Sequence, residues 1–349
     1  EKLGVSREAV SKWAAGESFP RPDKLLRLGS ALRLSFSDLV LSDQDECAPV
    51  VAFRRMKGTK TTDGHLEHAR EMGQALRALV PLLPFDTLTV PPTLKEPSGD
   101  FEYLTAVAEN VRQSIHLGAD DQVDFRHLIA RFRELQTVLI PVLWGKKDRH
   151  ENALHIFLPD SGATWVYLNL DVHVHDFKFW MAHELGHSLA PNLESNKAED
   201  FADAFAATLL FPRTAAEKAH GEIEGISKAA QLRHLTVWAE RFVISPYHVY
   251  RQVNAFARSA GKAPIHLEPD IHAVTTNFNK GYKNVADALF DGETPRAEQY
   301  VKVAESVFET PFFDVLGKYL RKSGTGPGYV QTVLDCGIFD AKTIHSELV

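Results

Sequence analysis

Residues 176–189, near the centre of the chain, read DFKFWMAHELGHSL. Its apolar residues recur at the three- and four-residue spacing of an amphipathic helix. Asp176 stands before the pattern as a candidate N-cap, and Pro191 follows it as a helix breaker. The stretch therefore predicts a helix from about Phe177 to Leu189.

The same helix carries an HExxH motif formed by His183, Glu184 and His187. Residues four apart share one face of a helix, so the two imidazoles can bind one tetrahedral metal ion while Glu184 points toward a bound water. The alternative is a pair of ordinary core or surface histidines. His173 and His175, on the extended segment before the helix, are weaker ligand candidates.

A catalytic zinc ion takes three protein ligands and keeps one position open. A second helix is predicted from about residue 196, with Ser195 as N-cap, to residue 211. It carries Glu199, twelve residues after His187, and Asp203 one turn later. We expect Glu199 as the third ligand and Asp203 as the carboxylate that orients a ligand histidine. Glu194 is the competing third ligand and would have to coordinate from a loop.

The mechanism expected from these residues is peptide hydrolysis. Zinc lowers the pKa of its water toward about 7, Glu184 accepts the proton, and the resulting hydroxide attacks a peptide carbonyl that the same ion polarises. Glu184 then delivers the proton to the leaving amine. The motif thus predicts a zinc metalloendopeptidase, although it does not identify the donor that stabilises the oxyanion.

The chain resembles the ImmA/IrrE family of bacterial zinc metallopeptidases over about Asp120 to Val253. The matching residues are Tyr167-Leu168-Asn169, Ala182 to His187, Glu199, Ala202, Asp203, Phe205-Ala206, Leu209-Leu210 and Pro212. The resemblance implies a gluzincin-like fold with Glu199 as the third ligand. It also implies a protein substrate, often a repressor.

The amino-terminal segment Leu3-Gly4-Val5-Ser6-Arg7 places a glycine where a helix must turn and a serine where the next helix needs a cap. With Val10 to Trp13, Gly16, Pro20 and Leu39, it resembles the Cro/XRE helix-turn-helix family. The resemblance implies a recognition helix in the major groove of double-stranded DNA. The residues expected to contact DNA are Arg7, Glu8 and Lys12 at base edges and Ser11 at phosphate.

Residues 1–42 carry 7 basic and 5 acidic side chains, a net charge of only +2. One copy should therefore bind DNA weakly, which implies a homodimer. The alternative for this segment is a helical interaction or dimerisation module that does not read DNA.

The remaining pattern predicts a mainly helical α+β protein. The expected domains are a helix-turn-helix over 1–42, a helical connector over 43–119, a zinc metallopeptidase-like domain over 120–262 and a helical region over 263–349. Val50 to Phe53 is a short strand or an extended tether. A small antiparallel sheet is expected from strands at about 138–144, 154–158 and 165–170.

The composition of the chain excludes several classes of protein. The 349 residues include 39 Lys and Arg against 46 Asp and Glu, so the net charge of −7 excludes a general polycation. Cys47 and Cys336 form neither a disulfide framework nor a CxxC motif, which fits a reducing cytoplasm. Apolar runs are too short for a membrane span.

Two other functions stay open at this point. The protein could be a transcription regulator whose zinc domain senses or scaffolds without hydrolysis. It could instead be an antitoxin-like interaction protein whose carboxy-terminal helices hold a partner.

Overall fold

The structure is a computed structural model that describes residues 5, 10, 11, 24, 48–54, 63–85, 93–145, 153–191, 193 and 195–349. The chain divides into two compact units, Glu1–Ala48 and Pro49–Val349. Of the first unit, Val10, Ser11 and Lys24 are helical. The domain boundaries predicted near residues 119 and 262 both fall inside the second unit.

The second unit is mainly helical with one four-stranded sheet, as the α+β prediction requires. Its strands are β1 (Val50–Arg54), β2 (Thr137–Val142), β3 (Ala153–Leu158) and β4 (Ala163–Asn169). Three helices precede β2, namely α1 (Asp63–Arg77), α2 (Phe101–Ser114) and α3 (Phe125–Glu134), with a short 3₁₀ helix at Val80–Leu82. Val50–Arg54 is thus a strand of the sheet.

The helices that follow the sheet make up the rest of the unit. They are α4 (Val174–Leu189), α5 (Ser195–Leu210), α6 (Arg213–Ile223), α7 (Lys228–Phe242), α8 (Pro246–Ser259), α9 (Asp270–Lys280), α10 (Val285–Leu289), α11 (Ala297–Phe308), α12 (Phe312–Ser323), α13 (Pro327–Leu334) and α14 (Ile338–Leu348). Among the described residues, no helix combines the length and apolarity that a membrane crossing requires.

The sheet is mixed, so the prediction of an antiparallel sheet is wrong. Its strand order is β1-β3-β4-β2, with β3 antiparallel to both β1 and β4, and β2 parallel to β4. The turn at residues 159–162 makes β3 and β4 adjacent, as expected. Both β2 and β4 are buried along their whole length. Such strands carry continuous apolar runs, and their sequences therefore do not indicate their direction.

The two faces of the sheet are covered by different helices. Side chains alternate between the faces of a strand, so Trp165 and Tyr167 face the side opposite to Val166. On their side Trp165 packs edge-on against Phe312 of α12, and Tyr167 donates a hydrogen bond to Val333 O of α13 at 2.6 Å. Helices of the region after residue 263 thus cover one face of the sheet. Helix α4 packs against β3 and β4.

The two helices with the metal-ligand motif differ slightly from their predicted bounds. Helix α4 begins at Val174, three residues before the predicted start, and its N-cap is His173 without a side-chain hydrogen bond. The predicted cap Asp176 is therefore wrong; it lies in the first turn, where a negative charge interacts favourably with the helix dipole. Helix α5 runs one residue earlier at each end than predicted.

Two buried cations hold α4 and α5 in place through the carbonyl ends of helices. Lys178 of α4 donates from Nζ to Phe242 O, the last residue of α7, at 2.6 Å. Burial lowers the pKa of Lys178 to about 7. Arg112 of α2 donates to Leu209 O near the end of α5 at 2.8 Å. Both contacts satisfy carbonyl groups that a helix C-terminus leaves unpaired.

Candidate metal centre

The candidate centre lies where α4 crosses α5, and a glycine permits the close approach of the two helices. A Cβ atom built on Gly186 would lie 3.0 Å from Ala202 Cα and 3.2 Å from Phe205 Cδ1. Glycine therefore fits the motif position between Glu184 and His187 because any larger side chain would push α5 outward. The approach brings Glu199 of α5 beside the two histidines of α4.

Three side chains converge on one point. His183 Nε2 lies 3.4 Å from Glu199 Oε2, and His187 Nε2 lies 3.2 Å from Glu199 Oε1. The two Nε2 atoms are 3.0 Å apart. Donors at about 2.0–2.2 Å from a tetrahedral zinc ion are separated by about 3.3–3.6 Å. The three groups thus have nearly the spacing of three corners of such a site, and they form a possible metal-binding triad.

The other ring nitrogen of His183 faces a second carboxylate. His183 Nδ1 lies 3.0 Å from Asp203 Oδ1. Asp203 lies one turn after Glu199, so one helix supplies both carboxylates that His183 contacts. If His183 donates its Nδ1 proton to Asp203, its Nε2 carries the lone pair that a metal ion needs.

The charges at the centre alter the protonation of the triad. Burial disfavours the charged form of His183, but hydrogen bonds to Asp203 and Glu199 outweigh burial and raise its pKa to about 9. Burial also opposes the charge of Glu199, yet its contacts with both histidines lower its pKa to about 2. Burial lowers the pKa of His187. Without a metal ion, a protonated His183 and an ionised Glu199 can therefore neutralise each other.

Glu184 points from α4 toward the sheet and is fully buried. Its Oε2 lies 3.7 Å from Nδ1 of His155, which belongs to β3. The His155 ring also meets the His187 ring edge-on, with 6.0 Å between centroids. Burial, together with the neighbouring His187 and His183, lowers the pKa of His155 to about 3, so this imidazole is neutral.

Sequence reasoning missed His155. The signal was weak: a single histidine in the apolar strand sequence ALHIFL. Only the pairing of β3 with β4, which sets His155 opposite Val166, shows which face of the sheet the side chain occupies.

The described residues place three donors at the triad and no fourth protein ligand. Across the described part of the chain, no other His, Cys, Asp or Glu belongs to a cluster of donors that could hold a metal ion. The weaker candidates lie elsewhere. His173 caps α4 and bridges to Asn284, and His175 packs against Phe278 and Tyr282. Glu194, the competing third ligand, lies outside the described residues.

The predicted DNA contacts fall mostly outside the described part of the chain. Arg7, Glu8 and Lys12 are not among the described residues, whereas Ser11 is helical and exposed. Its exposure is compatible with a phosphate contact.

Comparisons with known proteins add no identification. No family model matches this chain, and no curated protein matches it either.

Proposed function

We propose that this protein is a cytoplasmic DNA-binding regulator with a zinc metalloendopeptidase centre. The observation that carries the proposal is the triad of His183, His187 and Glu199, which has nearly the spacing of three corners of a tetrahedral site and gains no fourth protein ligand from the described residues. Structural zinc sites use four protein ligands, whereas catalytic sites use three.

The donor atoms of the triad suit a zinc ion. Two imidazole nitrogens and one carboxylate form the donor set of gluzincins, which the family resemblance implies. A neutral His183 that donates its Nδ1 proton to Asp203 keeps Nε2 available for the metal ion. When bound, zinc supplies Lewis acidity, which lowers the pKa of water and polarises a carbonyl.

Glu184 is the general base and acid of the proposed reaction. It follows His183 directly in the motif and is buried between α4 and the sheet, beside the triad. Its carboxylate takes the proton from the attacking water and returns it to the leaving amine. A purely structural metal site has no need of such a carboxylate, which favours hydrolysis over a sensing or scaffolding role.

The proposed substrate is a protein, in particular a repressor, and the proposed second partner is double-stranded DNA. Both proposals rest on the resemblance of the sequence to the ImmA/IrrE and Cro/XRE families. The separate compact unit Glu1–Ala48 is compatible with an independent DNA-reading module that acts as a homodimer.

The experiment compares the native chain with Glu184→Gln. Both proteins are loaded with zinc, their metal content is measured by mass spectrometry, and each is incubated with repressors encoded near its gene. We expect one zinc per chain in both proteins and cleavage that is about 10²- to 10⁴-fold slower in the variant.

The matched control is Glu217→Gln, which alters an exposed glutamate of α6. It should cleave like the native chain. Equal cleavage by Glu184→Gln would reject the role of Glu184. Zinc binding without cleavage by the native chain would favour the non-hydrolytic regulator.

A further inference from the structure

One buried polar side chain at the centre has no part in the proposed reaction so far. His155 lies in the middle of β3, between the paired strands β1 and β4. Only 5% of the residue is exposed. Its Nδ1 atom is buried and has no hydrogen-bond partner within the part of the chain that is described.

The unpaired Nδ1 atom of His155 lowers the stability of the fold. A buried donor or acceptor without a partner destabilises a protein by about 1–3 kcal/mol. An apolar side chain at this position of β3 would avoid that penalty. Buried polar side chains without a hydrogen-bond partner occur mainly at functional sites.

His155 points at the proposed base rather than at the metal position. Its Nδ1 lies 3.7 Å from Glu184 Oε2, whereas it does not belong to the group of donors formed by His183, His187 and Glu199. A separation of 3.7 Å exceeds a hydrogen bond by about 0.7 Å. Contacts of catalytic groups are often this long before the substrate binds and shorten in the complex.

We infer that His155 is a positioning residue that donates a hydrogen bond from Nδ1 to Oε2 of Glu184 when substrate is bound. This inference rests on the proposed function. Oε2 of the carboxylate is then held by the sheet, and in the proposed reaction Oε1 accepts the proton of the attacking water. The strand is a rigid support, so it limits the rotation of the Glu184 side chain.

The test compares His155→Asn, His155→Leu and a matched control. An asparagine Nδ2 can occupy the place of the imidazole Nδ1 and restore the donor, whereas leucine fills the space without one. The control is His220→Leu in α6. His220 is 2% exposed and also has a buried Nδ1 without a partner among the described residues, but it packs against Phe256.

Kinetics on the cleaved repressor should separate the three variants. We expect kcat of His155→Leu to fall about 10- to 100-fold, the range found for supporting groups around metal sites, with KM unchanged. His155→Asn and His220→Leu should keep kcat within about threefold of the native chain. Zinc affinity, measured by chelator competition, should be unchanged in all of them.

A second readout does not depend on activity. The ¹⁵N chemical shifts of the histidine rings in the zinc-loaded protein, assigned with His155→Asn, report which ring nitrogen of His155 carries the proton. We expect the Nδ1–H tautomer.

An Nε2–H tautomer would overturn the inference, as would equal kcat for His155→Leu and His220→Leu. A loss of zinc affinity in His155→Leu would also overturn it, because it would assign His155 to the metal. If the native chain hydrolyses nothing, the proposed function fails, and the tautomer alone then decides whether His155 contacts Glu184.

Discussion

Asp203 Oδ1 lies 3.0 Å from His183 Nδ1, whereas Nε2 of the same ring faces the other members of the possible metal-binding triad. Glu199 of the same helix contacts His183 Nε2 at 3.4 Å. One turn of α5 therefore supplies two carboxylates to the two nitrogens of one ring. The contact with Asp203 orients the His183 ring, and when the neutral ring carries its proton on Nδ1, Nε2 has a free lone pair.

Asp203→Ala should weaken zinc binding about 10- to 100-fold because His183 loses the group that orients it. Chelator competition at neutral pH measures the change. Asp200→Ala is the matched control, since Asp200 is an exposed residue of the same helix. Unchanged zinc affinity in Asp203→Ala would contradict the assigned role of Asp203.

Gly186→Ala should destabilise the protein and weaken zinc binding. An added Cβ would approach Ala202 Cα to 3.0 Å and separate α5 from α4. Overpacking of this kind costs about 1–3 kcal/mol, against a gain in helix propensity of about 1 kcal/mol. The measurement is urea unfolding together with chelator competition.

Gly221→Ala provides the comparison for that experiment. Gly221 lies in α6, and a Cβ atom there would meet nothing within 4 Å. Its replacement should raise the free energy of unfolding by up to about 1 kcal/mol. If both alanine variants are stabilised equally, the helices do not approach as closely as the structure shows.

His155 should make the metal-free protein sensitive to acid. Burial and the neighbouring histidines lower its pKa to about 3 in the folded state, whereas the pKa in the unfolded chain is about 6.5. Between these values the unfolded state binds more protons, so stability falls as pH falls below about 6.5. The limiting slope is about 1.4 kcal/mol per pH unit.

Urea unfolding of the native chain and His155→Asn at pH 7, 6 and 5, both without metal, measures this contribution. The native chain should lose stability more steeply than the variant. Parallel curves would show that His155 titrates normally in the folded protein.

Arg7→Ala should reduce the preference for a specific duplex by about 1–3 kcal/mol if Arg7 contacts base edges, as the resemblance to the Cro/XRE family implies. Fluorescence anisotropy with the DNA that precedes the gene, at several salt concentrations, measures the effect. Arg126→Ala alters an exposed arginine of α3 and is the control. Native protein without salt-dependent duplex binding would favour the interaction module instead.

The helical part of the fold could be predicted because its signals are local. Proline at 191 and 212 ends the apolar patterns that precede it, and Asp100 caps α2 by accepting hydrogen bonds from Glu102 N and Tyr103 N. The convergence of His183 and His187 follows from helical periodicity alone. The position of Glu199 beside them does not follow from periodicity, because it depends on how closely α5 packs against α4 at Gly186.

The pairing of the strands and the position of the carboxy-terminal helices depend on contacts between distant parts of the chain. The direction of β2 and the addition of β1 are determined by strand pairing, which continuous apolar sequences do not indicate. Backbone carbonyls of the carboxy-terminal helices accept hydrogen bonds from side chains in and next to the sheet. One example is Trp144 Nε1, which donates to Leu334 O at 3.0 Å. A backbone carbonyl is present at every residue, so no motif predicts such a contact.

A crystal structure of the zinc-loaded protein, with anomalous diffraction at the zinc edge, tests the proposed metal centre itself. We predict one ion at about 2.0–2.2 Å from His183 Nε2, His187 Nε2 and an oxygen of Glu199, with solvent as the fourth ligand. Absence of an ion between these three side chains would rule out the metal centre, and a fourth ligand from the protein would rule out a catalytic one.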